Sequence, residues 1–98
     1  MAAQQLDSGA WAARWGAWQI VLKEGAVGWS VTVLYWPDGT PVSQRRVIGK
    51  TESLRDAPTA INWASSLLKE YGAKAFVDGR EQPLSVFLKF SPAPELVP

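Results

Sequence analysis

The side chains that could do chemistry in this 98-residue sequence are carboxylates, ammonium groups and hydroxyls, because it contains neither histidine nor cysteine. Thiolate catalysis, disulfides, Cys/His zinc sites and imidazole acid–base work are thereby excluded. The nine acids are Asp7, Glu24, Asp38, Glu52, Asp56, Glu70, Asp78, Glu81 and Glu95. Nearly all fall where a helix cap, a turn or a solvated helix face would use them. No two are spaced to converge on a cleft, as glycoside or phosphoryl chemistry requires. Gly25-Ala26-Val27-Gly28 joins two expected strands instead of opening a helix, so it is not a phosphate loop. The sequence predicts a chain with no catalytic residues, no metal site and no cofactor.

Binding chemistry has better candidates. Lys23, Ser30, Thr32, Ser43 and Arg45 are expected on one face of a sheet around Trp36, where a ring can stack on a base and cations can follow phosphates. The same face should carry Val21, Leu34 and Val47, and apolar area rimmed by polar groups marks protein association. Lys23, Thr32, Leu34, Trp36, Arg45 and Trp63 are therefore the candidate binding residues. Two functions compete for them. The first is a small interaction module that forms a homodimer or binds a protein partner through the free sheet face. The alternative is a single-stranded nucleic-acid-binding module using Trp36 with Lys23 and Arg45. A net charge of +1, from ten Lys and Arg against nine Asp and Glu, means that nucleic-acid binding would have to rest on a local patch.

Three antiparallel strands between Trp18 and Ile48 are expected to position these residues. A loop at 25–28 lets Glu24 face Trp29, and sets Trp18 by Tyr35, Ile20 by Val33 and Leu22 by Val31. Asp38-Gly39 reads as a type I′ hairpin turn, since both of its central positions need positive φ. Pairing Pro37 with Thr40 brings Tyr35 opposite Val42 and Trp29 opposite Ile48. A rival register, a type I turn with a bulge at Gly39, would exchange the faces of Arg45 and Arg46. Residues 50–54 then read as a connector.

Upstream, Trp11, Trp15 and Trp18 recur at i, i+4 and i+7, which predicts a short helix capped by Asp7-Ser8 and ended by Gly16. Trp11, Ala13, Trp15 and Ala17 also alternate with period two, so a strand competes. In either form these tryptophans should cover the core. Downstream, Asp56 is the expected N-cap of the main helix, with Pro58 in its first turn and Gly72 at its end. Ala60, Ile61, Ala64, Leu67, Leu68 and Tyr71 form its apolar face. Trp63 lies about 100° from the centre of that face, at its boundary. Lys74 to Val77 reads as a short strand, Asp78-Gly79 as a turn, and Pro83 to Phe90 as an alternating strand joining the sheet.

The whole is predicted to be an α+β domain: a single antiparallel sheet in the order β-β-β-α-β-β, with a possible short N-terminal helix and the main helix packed on one face. Residues 1–6 are expected to be a flexible end, 7–90 the domain, and 91–98 a proline-rich tail. Three strands and a helix over 18–71 resemble in layout the arm-type DNA-binding domains of integrases and the strand-strand-strand-helix units of single-strand-binding folds. That likeness involves no shared motif and carries no function with it. No apolar run approaches the roughly 18 residues that span a bilayer, and the N-terminus lacks signal-peptide features, so the expectation is a soluble, cytoplasmic protein without membrane contact.

Overall fold

Alternating small and bulky residues, interrupted by glycine-containing turns, build the sheet. A computed structural model describes residues 10–92. The expectations for 1–6, for the Asp7-Ser8 cap and for 93–98 lie outside the described residues. Strands β1 (Ala10–Trp15), β2 (Trp18–Gly25), β3 (Gly28–Tyr35) and β4 (Arg46–Leu54) precede helix α1 (Ala57–Glu70). After the helix come β5 (Ala75–Val77), β6 (Arg80–Gln82), a 3-10 turn at Leu84–Val86 and β7 (Ser91–Pro92). The fold is α+β. Its main antiparallel sheet has the order β4-β3-β2-β1-β7, and β5-β6 form a separate two-stranded hairpin. The expectation of one sheet taking in every strand is corrected accordingly.

The β2–β3 hairpin has the predicted register: Trp18 faces Tyr35, Ile20 faces Val33, Leu22 faces Val31 and Glu24 faces Trp29. The first tryptophan stripe is a strand, not a helix. Ala10 to Trp15 pair with β2 so that Ala13 faces Ile20 and Trp15 faces Trp18. The cause is the two-residue turn Gly16-Ala17, with Gly16 at φ 60 and Ala17 outside the positive-φ residues. This is the II′ pattern with glycine first, whose twist matches paired strands.

The β3–β4 connection departs from the predicted register. Thr40 N–H bonds the Pro37 carbonyl at 3.1 Å. Gly39 has φ 84, while Asp38 does not have positive φ. That combination is a type II turn, whose twist splays flanking strands instead of pairing them. The connection therefore continues through a 3-10 turn at Val42–Gln44, and the ladder opens with Tyr35 opposite Arg46, not Val42. Trp29 meets Leu54, not Ile48, and the supposed connector 50–54 is strand. Two irregularities bend β4, one adding Ile48 between the Val33 and Leu34 pairings and one setting Glu52 and Ser53 against Ser30. At the second, Gly28 has φ 135 and a Cβ there would lie 2.7 Å from the Leu54 carbonyl oxygen, so no other residue fits.

Helix α1 forms where it was expected. The Asp56 carboxylate accepts the Thr59 N–H at 2.9 Å, and Pro58 sits in the first turn. At the far end Gly72 N–H bonds the Lys69 carbonyl and Ala73 N–H the Leu68 carbonyl, each at 3.0 Å. Those two bonds make a Schellman closure. Ala60, Ala64 and Leu68 are fully buried against Ile20, Val31 and Val33. The close approach is possible because small residues face large ones: a Cβ on Gly49 would come within 2.5 Å of Leu67 Cδ2 and 3.3 Å of Trp63 Cη2.

Trp11, Trp15, Trp18, Trp29 and Trp63 pack around this core. Trp11 and Trp29 lie 5.6 Å apart, and Trp18 stands edge-on to both Tyr35 and Tyr71. The predicted strand at 83–90 is absent. Leu84 and Leu88 are buried across the 3-10 turn and Trp15 meets Phe87 at 5.8 Å. The first two residues of the expected tail, Ser91 and Pro92, occupy the β1 edge instead.

Candidate functional site

Alternation along the strands sends the remaining side chains to the sheet face opposite α1. One row across it is Ala12, Val21, Thr32 and Lys50, and the next is Arg14, Gln19, Leu34 and Val47. A third begins Ala10, Lys23, Ser30. Lys23 and Lys50 are exposed, while Val21, Ser30 and Thr32 are half-buried. The middle of this face is a shallow, small and hydroxylated surface edged by cations.

At its lower end the 36–45 loop folds back over the second row. Trp36 N–H continues the ladder to the Ala17 carbonyl at 2.7 Å, and the indole Nε1–H bonds the Thr40 carbonyl at 2.7 Å. Arg14 bonds the Trp36 carbonyl, and also reaches the Gly16 carbonyl at 3.4 Å and the Asp38 carboxylate at 3.3 Å. The Arg14 guanidinium lies 4.8 Å from the Trp36 ring centroid and that of Arg45 lies 5.6 Å away. Arg45 also donates to Gln19 Oε1 at 3.3 Å and to the Val42 carbonyl at 3.2 Å. Two cations on one indole hold the loop against the sheet, each contact contributing about 0.5–1 kcal/mol at such a partly exposed site. Under this cluster Leu34 is 6% exposed and Gln19 is 2% exposed.

The candidate residues therefore divide. Lys23, Thr32, Leu34, Trp36 and Arg45 share the open side of the sheet, with Leu34 beneath the loop and Trp36 engaged by two arginines. Trp63 is on the opposite side, half-buried against β4 at Gly49 and beside Leu67. Arg14 belongs to the site and was missed, because reading 10–15 as a helix removed it from the sheet. Trp15-Gly16-Ala17-Trp18, a glycine-first two-residue loop between bulky residues, was the signal. Lys50 joins the face because of the bulge at Ile48. Arg55 pairs with Asp56 at the start of α1, at 3.4 Å. Among the described residues no group of three or more His, Cys, Asp or Glu could hold a metal ion. Nor is any helix there long and apolar enough to cross a membrane. No family model, curated protein or solved structure matches this chain.

Proposed function

We propose that the chain is a small non-catalytic interaction module that takes single-stranded nucleic acid on the open face of its main sheet. The observation that carries this reading is the segregation of charge. Lys23 and Lys50, with Arg45 beyond them, border Ser30 and Thr32, Arg14 being balanced by Asp38, whereas Leu34, the strongest argument for an apolar partner, is covered by the chain's own loop. Cations bordering hydroxyl donors suit a phosphate backbone. Trp36 is engaged by Arg14 and Arg45, so the guanidiniums, on which bases stack as they do on rings, are the stacking groups this cluster offers. A protein partner or second copy is the other reading, favoured by Val47, 61% exposed on the same face, and Val42, 49% exposed in the loop beside it.

The test is anisotropy of a fluorescent oligonucleotide at two ionic strengths. Binding is expected at low salt. Lys23→Ala and Lys50→Ala, at exposed positions, should each weaken it for all sequences alike and flatten the log–log salt slope by about 0.7. No anisotropy change at low salt, where the electrostatic contribution is greatest, would overturn the nucleic-acid reading. A mass that rises with concentration in light scattering, and that Val47→Lys returns to the monomer value, would then favour self-association.

A further inference from the structure

We propose that the cleft between α1 and the segment following it is a binding site for a small hydroxylated anion, of the sugar-phosphate class. It is on the helix side of the sheet, away from the open face, and does not depend on the nucleic-acid reading. Its volume is about 460 Å³, within the range of small-ligand sites. Most such sites are apolar with a few polar groups, and this one is not. Asn62, Ser66 and Lys69 recur at i, i+4 and i+7 along α1 and line one wall with Ser65, facing Gln82 and Ser85 across the cleft. Serine favours a helix interior less than alanine does, so a Ser65-Ser66 pair in the middle of α1 is not there for helix stability.

Amides and hydroxyls both donate and accept, as the hydroxyl groups of a sugar require. Ala73, half-buried, and Pro83, exposed, also line the cleft and contribute an apolar patch on which the C–H face of a sugar ring can rest. Charge then selects among sugars. Lys69 and Lys74 line the cleft with Glu81 as the only acid among the described residues, and the Lys69 ammonium pairs with the Glu81 carboxylate at 3.6 Å. Lys74 has no ion-pair partner among the described residues. One uncompensated ammonium beside a hydroxyl-lined cleft fits one phosphate on a sugar.

The experiment is amide-resolved NMR of the full chain titrated with glucose 6-phosphate, glucose and inorganic phosphate in parallel. Glucose 6-phosphate is expected to give saturable shifts confined to Asn62, Ser65, Ser66, Lys74 and Gln82, with either fragment binding more weakly. Lys74→Ala should weaken glucose 6-phosphate about tenfold, as for one lost charge-assisted hydrogen bond, and leave glucose unchanged. Ser66→Leu, at an exposed position, should block the cleft while the rest of the spectrum stays that of the folded protein. The proposal is overturned by shifts that fail to saturate at millimolar ligand, by equal shifts at Lys23 and Lys50, or by inorganic phosphate binding as tightly as glucose 6-phosphate.

Discussion

Asp56 and Trp36 mark the two extremes of what a single residue reveals before the chain is folded. Asp56 acts on its immediate neighbours: the Thr59 hydroxyl first, then the Thr59 N–H and Arg55, hold its carboxyl below the usual aspartate value. A folded-state pKa below the unfolded one contributes stability that is present above the unfolded value and is lost as pH falls through the folded one. The helix cap should therefore weaken in acid, below about pH 4. Asp56→Asn, which retains an acceptor oxygen, should keep the neutral-pH thermal midpoint and shrink its fall in acid. Asp56→Ala should lower the neutral-pH midpoint itself. Thermal melts across that range check both, and an unchanged acid slope in the Asn variant would remove Asp56 from the pH response. Trp36 behaves oppositely. Its ring environment comes from Arg14 and Arg45, 22 and 9 positions away, so no local pattern announces that a candidate stacking ring is already in use.

At the level of elements, the two Asp-Gly dipeptides divide instructively. Asp78 and Gly79 both have positive φ, and Val77 pairs with Arg80 across them in the I′ geometry. Asp38-Gly39, flanked by Pro37 and Pro41, takes the type II form and leads into a loop. The same dipeptide thus closes one hairpin and not the other, because prolines remove ladder donors on either side. The helix is the most legible element, since cap, Schellman glycine and apolar stripe all agree. Its phase gives a sharp contrast. Leu68 is fully buried and Ser66 exposed, so Leu68→Ala should cost about 2–5 kcal/mol in denaturant unfolding and Ser66→Ala close to nothing. Equal costs would mean that the helix is wrongly phased. The 83–90 stretch misled because Leu84 and Leu88 satisfy period two and an i, i+4 spacing alike, and only the second is used.

In the whole molecule, α1 and the residues after it close one face of the main sheet, leaving the other face open and its edges at β4 and β7. The β4 edge is guarded by its two bulges, which turn its unpaired groups away from a neighbouring strand. The β1 edge is guarded by Ser91 and Pro92. A chain ending at Phe90 should therefore lose about 1 kcal/mol, the net worth of an ordinary hydrogen bond, with a fall of about 4–8 °C in thermal midpoint. Faster amide exchange at Trp11 and Ala12 should accompany it. An unchanged midpoint and unchanged exchange would mean that the terminal segment contributes nothing to the edge.

What the sequence by itself determined were the features encoded within a few residues of one another: the β2–β3 register, the limits and buried face of α1, the placing of Trp11 and Trp15 in the core, and the lack of imidazole and thiol chemistry. Each rests on side-chain periodicity or on a cap that a short segment satisfies alone. The tertiary structure decided which of two local options was taken wherever both were satisfied. It made the first tryptophan stripe a strand because the Gly16-Ala17 turn folds it back onto β2 as a partner, and it slid β4 past its expected register because the type II turn could not start the ladder. It also buried Leu34 beneath Arg14, Trp36 and Arg45. Those outcomes depend on pairing and packing between segments, whose free energy is summed over contacts that the periodicity within one segment does not contain.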